Sequence, residues 1–256
     1  MYGAIIGDLA GSIYEYDQFQ HVHSIKLDKI IEENSFYSDD TILTIAILDA
    51  ILNDKNYDYY LRKYIKEYLL YKPSYSPYFE KVFSPNLIKW SNENKQGNSH
   101  GNGAMMRISP IGYMFNSEKE VIENAYLATI PSHNSKEAVE SARKIALIIY
   151  YLRNNIDLET IFKKLDINPI YKPFTRFNYT CEDTIDNCLY ILYNSISFED
   201  AIKKAVQLGG DTDTNACIVG SMAEALYGID NNLIQLVNKK IPEEFKKVLL
   251  KSNNYL

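Results

Sequence analysis

Cysteine is scarce in this chain, which has three cysteines among 256 residues. Cys181, Cys188 and Cys217 are odd in number, are widely spaced and lack the paired spacing of a zinc site. A disulfide framework is therefore not expected, and the composition fits a reducing compartment.

Long hydrophobic runs are missing as well. The most apolar stretch, residues 42–52, is too short to span a bilayer and contains Asp49. The N-terminal segment has no basic region, and Asp8 interrupts its apolar residues, so it does not resemble a signal peptide. We therefore expect a cytoplasmic protein that does not associate with membranes.

Basic residues are fewer than acidic residues: the chain has 27 lysines and arginines and 33 aspartates and glutamates, which gives a net charge of −6. Such a chain has no general electrostatic reason to bind a nucleic acid backbone, although local basic patches leave a nucleic acid partner open. Apolar residues are abundant, and a hydrophobic content of 46% is enough for a large core. No internal repeat or low-complexity tract stands out, so one domain over residues 1–256 is expected.

The apolar residues recur at helical spacing, and no segment shows the sustained period-two alternation of a strand. The expected fold class is therefore all-α. The predicted helices cover residues 39–53, 135–153, 197–208 and 214–227. Residues 39–53 are apolar on nearly every face, as in a buried central helix, whereas the small residues of 214–227 favour close approach by another helix. Residues 72–103 and 168–182 contain several prolines and predict long loops.

Two clusters of acids and hydroxyls each open a predicted helix. They are Ser38-Asp39-Asp40-Thr41 and Gly209-Gly210-Asp211-Thr212-Asp213-Thr214. Each can be explained by ordinary helix capping, and the glycines allow tight turns or the close approach of a ligand. If the clusters meet in space, however, they bring four carboxylates together, and two divalent ions would neutralise that charge. An all-oxygen ligand set suits Mg²⁺ or Mn²⁺ rather than zinc.

Three further segments carry candidate residues. Asp8 and Glu15 are seven positions apart, so on a continuous helix they would share a face, although either could be a plain surface acid. The Gly101-Asn102-Gly103 turn can point backbone N–H groups at an anion such as a phosphate, or it can be a simple loop. His133 precedes a predicted helix, and a single histidine is more often structural than catalytic.

These five segments occur in the order typical of one family, and the chain resembles the ADP-ribosylglycohydrolases, which include dinitrogenase reductase-activating glycohydrolase. GDLAGSIYE is similar to the N-terminal motif that carries the family's catalytic glutamate. SDDT and GGDTDT are similar to its paired metal motifs. GNGAMMRISPIG and SHNS fall where the family has a phosphate loop and a histidine near the substrate. The resemblance extends over residues 2–228.

The resemblance implies an orthogonal helical bundle that holds two Mg²⁺ or Mn²⁺ ions, with Glu15 as the catalytic carboxylate. The implied metal ligands are Ser38, Asp39, Asp40, Asp211, Asp213 and Thr214, with Asp213 bridging the ions. The implied substrate-binding residues are Gly101, Asn102, Gly103, Ala104, Met105, His133, Gly209 and Gly210. Two positions depart from common family residues: Ser38 stands where threonine is frequent but keeps a hydroxyl, and Thr212, which is not expected to bind, stands where serine is also common.

The implied activity is hydrolysis of the glycosidic bond between ADP-ribose and a modified acceptor, through a transition state with oxocarbenium character. Glu15 would either activate water or protonate the leaving group, and the sequence does not decide between these roles. One alternative is another two-metal hydrolase, acting on a phosphoester or on an ADP-ribose derivative such as O-acetyl-ADP-ribose. Another is a non-catalytic ADP-ribose-binding or structural homologue, since the family includes lens crystallins. The acceptor (a protein side chain, a nucleic acid base or a small metabolite) and the oligomeric state stay open.

Overall fold

A computed structural model of the protein describes residues 1–73 and 82–253. Its helices are α1 (Tyr2–Gly11), α2 (Glu15–Gln18), α3 (Asp39–Ile51), α4 (Tyr57–Glu67), α5 (Pro85–Asn92), α6 (Gly103–Met106), α7 (Ser109–Met114), α8 (Glu118–Thr129), α9 (Lys136–Arg153), α10 (Leu158–Lys164), α11 (Cys181–Tyr193), α12 (Phe198–Gln207), α13 (Thr212–Tyr227), α14 (Asn231–Lys240) and α15 (Glu243–Ser252). Within the described ranges there is no strand, only two isolated backbone bridges. The predicted all-α class is confirmed.

The four predicted helices are present with small shifts at their ends. Helices α9 and α12 begin directly after Ser135 and Ser197, whose hydroxyl oxygens accept hydrogen bonds from the backbone N–H groups of the third helical residues. Helix α3 begins at Asp39 as predicted and ends two residues early, at Ile51. Helix α13 begins at Thr212, two residues before the predicted start. Every predicted boundary thus lies within two residues of the observed one.

The loop predicted over residues 72–103 is wrong in part. Pro85 stands at the start of α5, where Ser84 Oγ accepts a hydrogen bond from Leu87 N. Proline is favoured at this position because the N–H that it lacks would have no partner within the helix. Residues 74–81 of the predicted loop lie outside the described residues. The other predicted loop is largely confirmed, since no helix occurs between α10 and Cys181.

Helices α1 and α13 run antiparallel with their backbones in contact. A Cβ atom at Gly7 would lie 2.0 Å from the carbonyl oxygen of Ala216, and one at Gly11 would lie 2.3 Å from Asp213 N. Both positions therefore require glycine. The contact confirms the close approach that the small residues of α13 predict. It also places the C-terminal end of α1 beside the N-terminal end of α13.

Helix α3 runs through the apolar core, as its sequence predicts. Every residue from Asp40 to Leu48 is buried. Burial of one leucine or isoleucine side chain stabilises a fold by about 1.5–3 kcal/mol, so this helix is firmly held. Its N-terminal end lies beside the start of α13, because Asp40 accepts a hydrogen bond from Thr214. None of the helices in the described part of the chain combines the length and the apolar character needed to cross a bilayer.

Candidate metal and substrate site

Glu15 lies at the end of the contact between α1 and α13. Helix α1 ends at Gly11, the chain turns, and Glu15 begins the short helix α2. The expectation that Asp8 and Glu15 share one face of a continuous helix is therefore wrong, because the helix is interrupted between them. After the turn, one carboxylate oxygen from each of Glu15, Asp211 and Asp213 lies within 4.8 Å of the other two.

Asp8 holds the first acidic cluster in place by reaching from α1 to the start of α3. Asp8 Oδ2 accepts hydrogen bonds from Ser38 N at 2.9 Å, from Thr41 N at 3.0 Å and from the Thr41 hydroxyl. Ser38 also caps α3, because its Oγ accepts a hydrogen bond from Asp40 N at 3.2 Å. The capping interpretation of this cluster is therefore confirmed. It is compatible with a ligand role, since Ser38 Oγ also lies 3.3 Å from Asp40 Oδ2.

The two acidic clusters meet in the fold. Thr214 Oγ1, on α13, donates a hydrogen bond to Asp40 Oδ2, on α3, over 3.3 Å. These residues are 174 positions apart in sequence. Because Glu15 lies beside Asp211 and Asp213, residues from α2, α3 and the start of α13 form one acidic site.

The turn that precedes α13 is fixed by two side-chain amides. Gly209 and Gly210 adopt φ angles of 73° and 70°, which an L side chain rarely adopts. Gly210 N donates a hydrogen bond to Gln18 Oε1 at 3.1 Å, and Asp211 N donates one to Asn178 Oδ1 at 2.8 Å. Sequence analysis missed both amides, because a lone Gln or Asn carries no spacing signal for such a contact.

The acidic site forms one wall of a cavity of about 750 Å³, a volume typical of sites for small molecules and cofactors. The predicted site residues that line it are Glu15, Ser38, Asp39, Asp40, Gly101, Asn102, Gly103, His133, Asp211, Asp213 and Thr214. Helix α5 and the residues that follow it contribute a further part of the wall, including Trp90 and Lys95. Sequence analysis placed a loop where α5 lies, and it therefore missed this wall.

Four predicted substrate-binding residues are not among those that line the cavity. Ala104 and Met105 are fully buried in α6 and pack into the core. A Cβ atom at Gly209 would lie 2.3 Å from His23 O, and one at Gly210 would lie 2.1 Å from Asn178 Oδ1. The two glycines thus face protein atoms, and their place in the structure is to form the turn that carries Asp211.

Burial of so many carboxylates raises their pKa values. Burial first, and the neighbouring charge of Asp213 second, raises the pKa of Asp8 to about 7. Burial raises the pKa of Asp211 to about 6. The pKa values of Glu15 and Asp40 lie well above the usual range, because desolvation of the partly buried Glu15 and the buried Asp40, and then the charge of Asp213, disfavour the ionised forms. Like charges close together in a water-poor site favour the neutral carboxylic acids unless cations compensate for them.

The residues of this site fit divalent cations. Asp40 Oδ1 is buried and has no hydrogen-bond partner among the described residues, so one carboxylate oxygen is free to bind an ion. The hydroxyls of Ser38 and Thr214 and the carboxylate of Asp213 lie near Asp40, and such oxygen groups are ligands of hard cations such as Mg²⁺ and Mn²⁺. A cation would also compensate for the repulsion among the acids. A metal ion could therefore lie among the carboxylates of this acidic site, where Asp211 and Asp213 approach each other beside Glu15.

The Gly101-Asn102-Gly103 turn and His133 lie next to this acidic site. Asn102 Nδ2 donates a hydrogen bond to Asp211 Oδ2 at 2.7 Å, which joins the turn to the second cluster. Cβ atoms placed at Gly101 and Gly103 would each lie 3.4 Å from His133 Nε2. The absence of side chains at these glycines leaves the histidine ring close to the turn. A ligand that reaches the turn would therefore meet both the acids and the imidazole.

Comparison with known proteins agrees with this arrangement. The sequence profile of the ADP-ribosylglycohydrolase family matches residues 1–253. The chain belongs to the ADP-ribosylglycohydrolase family. A solved structure of an ADP-ribosylglycohydrolase-related protein complex aligns with a TM-score of 0.70 and 18% identity, over 98% of this chain and 94% of that one. The predicted ADP-ribosylglycohydrolase fold is thus confirmed.

Relatives within the ADP-ribosylglycohydrolase family are distant in sequence. The ADP-ribosylarginine hydrolase Tri1 of Pseudomonas putida is 24% identical, over 93% of this chain and 72% of its own length. The ADP-ribosylhydrolase ARH3 of Homo sapiens is 21% identical, over 89% of this chain and 84% of its own length. Membership of the family supports hydrolysis of ADP-ribose linkages as the class of activity.

Proposed function

We propose that this ADP-ribosylglycohydrolase is a binuclear metal-dependent hydrolase that cleaves the glycosidic bond between ADP-ribose and a modified acceptor. The observation that carries the proposal is the meeting of two acidic clusters with Glu15 on the wall of a cavity of about 750 Å³. A site of this size accommodates a dinucleotide-like ligand. The names of the relatives support ADP-ribose as the group that is released.

The proposed metal ligands divide between the two clusters. Ser38, Asp39 and Asp40 would hold one Mg²⁺ or Mn²⁺ ion. Asp211, Asp213 and Thr214 would hold the other, with Asp213 shared between them. When bound, such ions orient ribose hydroxyls and lower the pKa of water.

The chain's own residues supply the remaining chemistry. Cleavage places positive charge on the ribose ring, and the surrounding carboxylates stabilise that charge electrostatically. Glu15 is partly buried beside Asp211 and Asp213, where it can exchange a proton with water or with the leaving group. The Gly101-Asn102-Gly103 turn would bind the diphosphate through Gly103 N, because Gly101 N and Asn102 N already donate to Ser99 Oγ and Tyr179 O.

The test is a release assay on ADP-ribosylated arginine, serine and nucleic acid substrates and on O-acetyl-ADP-ribose. Each reaction is run with Mg²⁺, with Mn²⁺ and with a chelator. Free ADP-ribose together with an unmodified acceptor is the expected product. The arginine substrate is the first to examine, because one relative is named an ADP-ribosylarginine hydrolase.

Two results would contradict the proposal. Release of AMP instead of ADP-ribose, by addition of water across the diphosphate, would indicate hydrolysis at phosphorus. Tight ADP-ribose binding with no turnover on any substrate, in protein shown to contain metal, would indicate a binding protein.

A further inference from the structure

Arg107 is a buried cation that the proposed chemistry does not use. Its side chain is fully buried yet lines the cavity. Nη2 donates a short hydrogen bond to Ser132 Oγ, at 2.7 Å, and a longer one to Ala128 O, at 3.4 Å. Nε and Nη1 have no partner among the described residues. The guanidinium therefore directs its best hydrogen bond at a single hydroxyl.

That hydroxyl lies between Arg107 and His133. Ser132 is buried, and its Oγ is 2.7 Å from His133 Nδ1. Arginine has no acceptor atom, so Ser132 Oγ can only accept from Arg107. The hydroxyl proton therefore needs an acceptor of its own. His133 Nδ1 is the only one within hydrogen-bond distance among the residues the structure describes.

The direction of the hydrogen bonds that run from Arg107 through Ser132 to His133 determines which ring nitrogen of His133 carries the proton. If Nδ1 accepts the hydroxyl proton, the neutral imidazole must carry its hydrogen on Nε2. The opposite tautomer would leave the Ser132 O–H buried without an acceptor, which is unfavourable. Nε2 is the atom of the His133 ring that lies nearest to the Cβ positions of Gly101 and Gly103.

We propose that Arg107 and Ser132 are positioning residues that fix His133 as a neutral Nε2–H donor to an oxygen of the ligand bound beside Gly101 and Gly103. Charge supports the same assignment. Burial lowers the pKa of His133 well below its usual range, and the neighbouring charges of Arg107 and His100 lower it further. The identity of the ligand rests on the proposed function, whereas the tautomer is a property of the free protein.

The tautomer is read directly by long-range ¹H–¹⁵N correlation spectroscopy of the full chain without ligand. The chain has four histidines, and the spectrum of His133→Asn assigns the ring. The expected result is a pyridine-type Nδ1 and a pyrrole-type Nε2 for His133. A pyrrole-type Nδ1, or an imidazolium near neutral pH, would overturn the proposal whatever the ligand is.

Variants test the two positioning residues separately. Ser132→Ala removes the donor to Nδ1, and Arg107→Gln frees the hydroxyl oxygen to accept from Nδ1, so each should give a mixture of tautomers. Ser132→Thr keeps the hydroxyl and should restore the Nε2–H form. Ser221→Ala is the matched control, because Ser221 is a buried serine whose hydroxyl donates only to Ile218 O in its own helix. An unchanged His133 spectrum in folded Ser132→Ala would refute the role of Ser132.

Binding of ADP-ribose, measured by calorimetry, provides the functional readout. Loss of one oriented hydrogen bond should weaken binding by about 2- to 10-fold in Ser132→Ala, with recovery in Ser132→Thr. If Ser132→Ala binds ADP-ribose as tightly as the parent protein although its His133 tautomers have changed, then Nε2–H does not contact the ligand. Failure of the parent to bind ADP-ribose would contradict the proposed function, while the spectrum would still decide the tautomer.

Discussion

Asn102 Nδ2 lies 2.7 Å from Asp211 Oδ2, and this hydrogen bond joins the glycine-flanked turn to the second acidic cluster. The same amide nitrogen also donates to Asn178 O at 3.2 Å, and Asn178 in turn holds Asp211 N. Asp211 is thus oriented from its side chain and from its backbone at once. The proposed diphosphate and metal subsites therefore share a structural support. A substitution in the turn should consequently change the affinity for metal.

Replacement of Asn102 by alanine tests this coupling. The variant loses the donor that orients Asp211 Oδ2, and loss of a residue that orients a metal ligand usually costs 10- to 100-fold in metal affinity. We expect a decrease of about that size in Mn²⁺ affinity, measured by calorimetry. Asn134→Ala is the control, because Asn134 is an exposed asparagine whose side chain bonds, among the described residues, only to Gln96 Oε1. Equal Mn²⁺ affinities for Asn102→Ala and the control would show that Asp211 needs no such support.

The sequence predicted those parts of the fold that depend on local signals. Helix α3 and its Ser38 cap were predictable because both the apolar pattern and the capping residue lie within a few positions of each other. Pro85 was misleading because the same residue that interrupts a helix also favours its first turn. The helix-breaking and helix-starting roles of proline differ only in context.

Long-range contacts set the limit of prediction at the site. The repetition of acid–hydroxyl motifs suggested that Asp40 and Asp213 belong to one centre, and the bond from Thr214 to Asp40 shows their proximity. No local pattern indicated that Asp8 would anchor the start of α3, or that Asn178 would hold the turn before α13. Those contacts exist only because distant helices pack together.

Metal removal should abolish activity. Four aspartates of the two clusters require two divalent ions for neutrality, so excess chelator is expected to stop ADP-ribose release, and Mg²⁺ or Mn²⁺ should restore it. Asp213→Ala should be the most damaging single change in the clusters, because Asp213 is proposed to contact both ions. Turnover at the parental rate in excess chelator, with metal absence verified by elemental analysis, would refute the metal dependence.

Ser38 combines a capping role with a proposed ligand role, and substitutions can separate the two. Ser38→Ala should destabilise the protein by about 1 kcal/mol through loss of the cap and should also weaken metal affinity. Ser38→Thr keeps the hydroxyl and should retain both properties. Ser197→Ala removes the equivalent cap of α12 on an exposed residue, so it should lower stability alone. Metal titrations that coincide for Ser38→Ala and Ser197→Ala would leave Ser38 as a cap only.

The stability of the metal-free protein should decrease as pH rises. The pKa of Asp8 is raised to about 7 and that of Asp211 to about 6, and the other buried acids are raised as well. A raised pKa means that the folded protein keeps protons that the unfolded chain releases above about pH 4, so stability is lost as pH rises through the folded values. His133 changes the stability in the opposite direction, because folding lowers its pKa. The several buried acids outweigh this single group.

The measurement is the melting temperature in excess chelator across this pH window. We expect a lower melting temperature at about pH 7.5 than at about pH 5.5, and Mg²⁺ should reduce or reverse the difference. A melting temperature that rises over this range without metal would contradict the repulsion among the acids.

Glu15→Gln separates proton transfer from metal binding. Glu15 is the first residue of α2 and lies outside the two acidic clusters, whose four aspartates already balance two divalent ions. It nevertheless has an oxygen within 4.8 Å of oxygens of Asp211 and Asp213, close enough to act on a group bound there. Glutamine keeps the size of the side chain but removes its capacity to exchange a proton.

We therefore expect Glu15→Gln to bind two metal ions and ADP-ribose while its rate falls by about 10²- to 10⁴-fold, the usual scale for a general acid or base. Calorimetry and single-turnover release are measured on the same preparation. Asp17→Asn, at an exposed acid of the same helix, is the matched control and should keep the parental rate. Near-parental turnover in Glu15→Gln would remove this residue from catalysis. Loss of ADP-ribose binding in a folded variant would instead assign Glu15 to substrate positioning, because a group that only transfers a proton contributes little to ground-state affinity.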